Sequence, residues 1–177
     1  WREGPSLLLE SGDWSCGDVL SERFEGMPMV EIQNAIGYDA VGLGGRDLSW
    51  PSPILARWAE SAKSPLICGN LVLREGNAPP AFVKPWILRT FEDLKVAVLG
   101  VTEMQNPADP TLRVLDPEES LRALLPRVKE ERPHVIILLS HLGLDAEREL
   151  ARLFPEIQVI VGGGSHHVLP QYLKEGN

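Results

Sequence analysis

Asp13, His141, His166 and His167 are the side chains of this sequence whose types and settings suit a metal ion. Each follows a short apolar run and lies beside glycine. Residues 7–9 run into Gly12 and Asp13, and residues 135–139 run into Ser140, His141, Leu142 and Gly143. Residues 159–161 lead to three glycines, Ser165 and the two adjacent histidines. A fourth apolar run, 38–43, ends in Gly44, Gly45, Arg46 and Asp47. One carboxylate and two or three imidazoles on separate loops are donors for zinc, manganese or iron. Two such ions about 3.5–4 Å apart activate water and clamp a phosphoryl group. Singly, each residue reads more simply as structure, since Gly-Asp marks turns and a histidine after a strand commonly caps it. Their joint placement at four strand ends is what points to a site.

Those loops need strands behind them. In open α/β sheets ligands bind at the carboxyl ends of the strands. Strands are predicted at 7–9 (ending at Gly12), 38–43, 66–68, 86–88, 95–101, 135–139 and 157–161. A helix is predicted from Pro28 to Gly37, with Val30, Ala35 and Ile36 inward. A second covers 53–63, with Ile54, Leu55, Trp58 and Ala59 on one face. A third covers 117–131, where Leu121, Leu124, Leu125 and Val128 keep helical spacing and Pro126 introduces a kink. A fourth starts at a capping Asp145 and reaches Phe154, with Leu150 and Leu153 inward. Segment 18–26 reads as loop or irregular helix, and 74–85 and 106–110 as loops without regular structure. The alternation of strands and helices implies a layered α/β architecture of the αββα kind.

The chain has 177 residues, enough for one domain with a sizeable core. Its net charge of −8 argues against nucleic acid or anionic membrane as partners. No run approaches the roughly 20 apolar residues of a membrane span. A leader or a first element is expected upstream of Trp1. Cys16 and Cys68 read as free thiols; a disulfide, or a metal contact by Cys16, is the alternative.

In order, GD, GYDAVGLGGRD, SHLGLD and VIVGGGSHH resemble the calcineurin-like metallophosphoesterases of the 5′-nucleotidase branch. That branch reads Gly-Asp, GYDA…LGNHEFDWG, SHLG and GGHSH. The likeness extends over GMPMVEIQNAIGYDA and SPLICGN and so covers nearly the whole chain. It implies one partial metallophosphoesterase-like domain over 1–177: a layered αββα sandwich lacking its first strand and its closing strands. It also implies a two-metal site, with Asp13 as the bridging carboxylate, His141 on the second ion and His166 on the first. Family members are usually extracytoplasmic, so an extracytoplasmic or periplasmic location is implied.

Four positions depart from the family pattern. Gly45 stands where the family has a liganding Asn, Arg46 where it has a phosphoryl-stabilising His, Asp47 where it has Glu, and Gly164 where GGHSH has its first His. The family's opening Asp-x-His motif would lie on a strand upstream of Trp1; unless residues from there help, each ion is left two protein donors, against the three or four that hold a catalytic zinc. The expectation is a pseudoenzyme with a degenerate site, weak or no phosphoester hydrolysis, and a binding or assembly role. Its cofactor is then none, or a single divalent zinc, manganese or iron. The alternatives are an active hydrolase with an unusual or mononuclear site, and a sugar- or nucleotide-binding module. Arg46 is expected to reach Asp13 and supply a missing ion's charge; otherwise it points to solvent and balances Asp47. His167 is a further candidate ligand, although neighbouring side chains in an extended segment point opposite ways. Expected partners are a small phosphorylated ligand and a partner chain, or a longer parent, over exposed sheet edges.

Overall fold

A computed structural model describes Gly4 and residues 6–175. Strand β1 (Leu9–Glu10) leads through the Asp13 loop to helices α1 (Val19–Arg23) and α2 (Met27–Ile36). Strand β2 (Ala40–Gly42), a 3₁₀ turn (Asp47–Ser49), helix α3 (Ser52–Ser61) and strand β3 (Leu66–Ile67) follow. Then come β4 (Leu71–Leu73), β5 (Trp86–Phe91), β6 (Leu94–Thr102) and β7 (Leu112–Val114). The chain continues with α4 (Pro117–Glu130), β8 (Val135–His141), α5 (Leu144–Leu153) and β9 (Val159–Gly162).

The strands form a parallel sheet β1-β2-β3, a mixed sheet β5-β6-β8-β9 and a short antiparallel pair β4-β7. Side-chain alternation sorts the larger sheets into layers. Val135, Ile137 and Leu139 of β8 face the same core as Ala40 of β2, Ile67 of β3 and Val96 and Val98 of β6. Ile136 and Leu138 face the other way, onto Leu121, Leu124, Leu125 and Val128 of α4 and Leu150 of α5. The outer face of β2-β3 packs on Val30, Leu55 and Trp58 of α2 and α3. The order is helices, sheet, sheet, helices, an αββα sandwich. His141 shares the inward face of β8 and ends that strand, so the sheet register carries its ring to the seam between the sheets.

Helix α1 is the irregular helix read within 18–26: Asp18 caps it, accepting the Ser21 N–H at 2.9 Å. Several elements differ from their sequence readings. In α2 the inward side is Val30 with Gln33, while Ile36 is 48% exposed and Ala35 is exposed too. Gly143, not Asp145, caps α5, and Glu147 is buried where Leu153 stays 46% exposed. The helix of α4 continues through Pro126. Cys16 and Cys68 are both free thiols. Among the described residues no helix is long and apolar enough to cross a membrane.

Candidate functional site

The Asp13 loop and the Gly44–Asp47 loop close on each other at the carboxyl ends of β1 and β2. Gly12 has φ +119°, and a Cβ there would lie 2.4 Å from the Gly44 nitrogen, so only glycine permits this approach. Asp47 then fastens the two loops from beneath. Its fully buried carboxylate accepts the backbone N–H groups of Asp13 (2.8 Å), Gly44 (2.9 Å) and Ser15 (3.1 Å), and the Ser15 hydroxyl at 2.6 Å. Burial pushes the Asp47 carboxyl up to about 6, against the four donors that favour its charged form. Asp13 is held at φ 63°, left-handed backbone that a non-glycine residue adopts only when its surroundings fix it.

Arg46 reaches Asp13. Its backbone N–H donates to Asp13 Oδ1 at 2.7 Å, and its guanidinium Nε lies 3.7 Å from Oδ2. The guanidinium is largely exposed, so this second contact is a loose ion pair. His141, buried at the end of β8, places Nε2 at 3.2 Å from Oδ2 of Asp13 and Nδ1 at 3.2 Å from the Ser11 carbonyl. With Nδ1 donating to the Ser11 carbonyl, Nε2 faces the carboxylate, where it donates if the ring is an imidazolium and offers a lone pair if the ring is neutral. Burial opposes the imidazolium charge, but the hydrogen bond and charge of Asp13, with Glu103 behind them, raise the His141 pKa above its usual value. In the same way burial works to raise the Asp13 carboxyl, and His141 and Arg46 overcome it and hold the group below its ordinary range.

His166 lines the same cleft of about 1410 Å³ as Asp13 and His141. It is exposed, its φ is 56°, and among the described residues it belongs to no metal-binding cluster with either of them. His167 is exposed and its Nδ1 pairs with the Ser165 hydroxyl at 3.0 Å. The glycine turn before them packs edge-on against the His141 ring: a Cβ on Gly163 would lie 2.9 Å from Nδ1. The structure thus gathers Asp13, Arg46 and His141 and leaves the two C-terminal histidines at the rim.

Among the described residues, Asp13 and His141 are the family's ligand positions brought into contact, fewer than the three or four donors that hold a catalytic zinc. Metal ligation needs a neutral imidazole with a free lone pair; with Nδ1 on the Ser11 carbonyl, Nε2 is the nitrogen of His141 that could supply it, toward Asp13 Oδ2. Arg46 brings a fixed positive charge to the carboxylate that would bridge the ions. Gly45 offers no side chain. Among the described residues no group of three or more His, Cys, Asp or Glu is placed to hold a metal ion.

Two charged groups of the site are not among the sequence candidates. Glu103 follows the last residue of β6, and its carboxylate enters the space beside Gly45, with a Cβ there lying 2.2 Å from Oε1. The strand-end rule that singles out His141 also reaches Glu103, at the tip of the neighbouring strand. Glu147 of α5 accepts the Gly163 N–H at 3.2 Å, and burial raises its pKa. Nothing in helical periodicity marks a buried carboxylate there.

No family model matches the chain. Similar proteins nevertheless cover almost all of it. The UshA protein of Escherichia coli K12 is 29% identical over 181 residues, 92% of this chain and 32% of its own length. The metallophosphoesterase YunD of Bacillus subtilis 168 is 30% identical over 169 residues, 93% of this chain and 36% of its own. The chain therefore spans about a third of the length of the curated relatives it matches. The structure of a 5′-nucleotidase precursor from Thermus thermophilus superposes with a TM-score of 0.85 at 27% identity, covering 97% of this chain and 34% of that one. Sequence and fold together place this chain with the calcineurin-like metallophosphoesterases, on their 5′-nucleotidase branch.

Proposed function

We propose that this metallophosphoesterase-fold domain binds rather than hydrolyses, and that protein charges occupy the place of its relatives' catalytic ions. The observation that carries this reading is the engagement of both Asp13 oxygens by groups of the protein itself. One oxygen takes the Arg46 N–H, and the other lies against the His141 imidazolium and the Arg46 guanidinium. A carboxylate so engaged has little left for a bridging ion. In this reading His141 is an imidazolium and cannot accept a proton, so no water is activated without such an ion or another general base in its place. The domain needs no cofactor in this reading. Its role is assembly or ligand binding, in an extracytoplasmic setting as for the branch at large, with a partner chain or further segments of a longer parent along the open edge of β9.

The test is hydrolysis of AMP and of a generic aryl phosphoester, with zinc, manganese or iron supplied, alongside His141→Ala. The expected result is no turnover above that of the variant. Turnover in the ordinary enzyme range, roughly 1–10³ per second, that His141→Ala abolishes would replace this reading with an active hydrolase using an unusual or mononuclear site.

A further inference from the structure

We infer that Glu103, admitted by the missing side chain at Gly45, makes the small pocket beside Asp13 refuse phosphate dianions, so that the domain's ligand is not a phosphoester. The inference rests on the metal-free reading above and names the ligand class which that site turns away.

The pocket, about 420 Å³, opens between the Asp13 loop and the tip of β6 and is lined by Asp13, Glu22, Glu103, Arg46 and Gln105, among others. Its lining holds three carboxylates and a single guanidinium, and that guanidinium is already paired with Asp13. The two cations of a metal centre would reverse this balance; Arg46 alone does not. A phosphate monoester entering here meets the half-buried carboxylates of Asp13 and Glu103 and the exposed one of Glu22, and repulsion from the first two is only partly screened.

Glu103 is there because of its neighbours. Asn70, fully buried, accepts the Thr102 N–H at 3.0 Å and donates to the Thr102 carbonyl at 2.8 Å, which fixes the backbone just before Glu103. Gln105 donates to the Gly45 carbonyl and closes the same loop onto the β2 side. A Cβ at position 45 would lie 2.2 Å from Glu103 Oε1 and 3.0 Å from Gln105 Oε1, so the flexible Glu103 carboxylate would have to swing away while the Gln105 amide gives by a few tenths of an ångström. Position 45 is therefore the gate, and the carboxylate is the barrier behind it. A small phosphorylated ligand, expected from the resemblance, is at odds with this lining.

The test is isothermal titration of the full chain with inorganic phosphate and with AMP near neutral pH, comparing wild type, Glu103→Gln and Gly45→Ala. The first variant removes the charge isosterically and the second displaces it with the charge retained in the sequence. Both are expected to bind phosphate at least roughly tenfold more tightly than wild type, and a double variant to gain no more than either alone. Equal affinities in wild type and variants, including undetectable binding in all of them, overturn the inference. Ordinary turnover of AMP by wild type would instead overturn the non-catalytic reading, so the two failures are separable.

Discussion

The Asp47 carboxylate holds Asp13 by its backbone and not by its side chain: Oδ2 accepts the Asp13 N–H at 2.8 Å. One buried acid therefore sets the conformation of the residue on which the site is centred and leaves that residue's own carboxylate free for Arg46 and His141. Asp47→Ala would strand the N–H groups of Asp13, Gly44 and Ser15 in a buried space. Unmet buried donors are costly, so the variant is expected to lose about 3 kcal/mol or more of stability in urea unfolding. A loss under about 1 kcal/mol would mean that water or other groups satisfy them.

Asp47 also gives the fold a pH signature. Its folded pKa of about 6 lies above the ordinary 3.8. The stability it contributes is full below pH 3.8 and is lost as pH rises through about 6. Three of its four partners can only donate, so the proton must be shared with the Ser15 hydroxyl, the one partner able to accept. Unfolding free energies measured across this window should fall with rising pH in wild type more steeply than in Asp47→Asn. Identical slopes would show that Asp47 stays ionised throughout.

The Asp13–His141 pair carries the opposite edge of the pH range as well. Asp13 is depressed below 3.8, so its contribution is present above that value and lost as pH falls through the folded pKa. His141 is raised above 6.5, so its contribution is full below that value and lost as pH rises through the folded pKa. The destabilisation caused by His141→Ala should be largest between these limits and shrink in alkaline solution. An NMR titration of the His141 ring giving a pKa below 6.5 would contradict the imidazolium assignment.

Trp58 ties the site loop to the core. It is fully buried, its ring centroid lies 4.8 Å from that of Trp14, and its indole N–H donates to the Glu25 carbonyl at 2.6 Å. Trp14 follows Asp13 directly. Trp58→Ala is expected to cost about 3–5 kcal/mol by cavity formation, and to broaden the amide signals of the Asp13 loop. A well-ordered loop in a destabilised variant would show that Asp47 alone suffices to hold it.

Much of the architecture is legible in the sequence because its signals are local. The continuous apolar run of β8 reads as a strand covered on both faces, and Ile136 and Leu138 do face one layer while Ile137 and Leu139 face the other. The helical spacing in α4 picks out its three buried leucines and one buried valine, Leu121, Leu124, Leu125 and Val128. Strands β4 and β7 escape such a reading because they are too short to show a period and are made by pairing with each other; α1 is legible only as an irregular helix because a single Asp18 cap makes it. Ile36, the last residue of α2 before its Gly37 cap, lies outside the core, since the buried side of that helix is Val30 and Gln33. Within the site, Asp13, Arg46 and His141 stand at strand ends that sequence order exposes. Glu103 is harder to read because its place depends on a side chain that Gly45 lacks, a relationship between distant positions that no local pattern records.

The most direct measurement is the metal content of the purified chain after dialysis against buffer containing zinc or manganese, read by mass spectrometry together with the melting temperature. Protein charges that fill the ion positions should leave the chain with far less than one ion per molecule and an unchanged melting temperature. A pair of tightly held ions per chain, with a melting temperature that rises in their presence, would contradict the account at its centre.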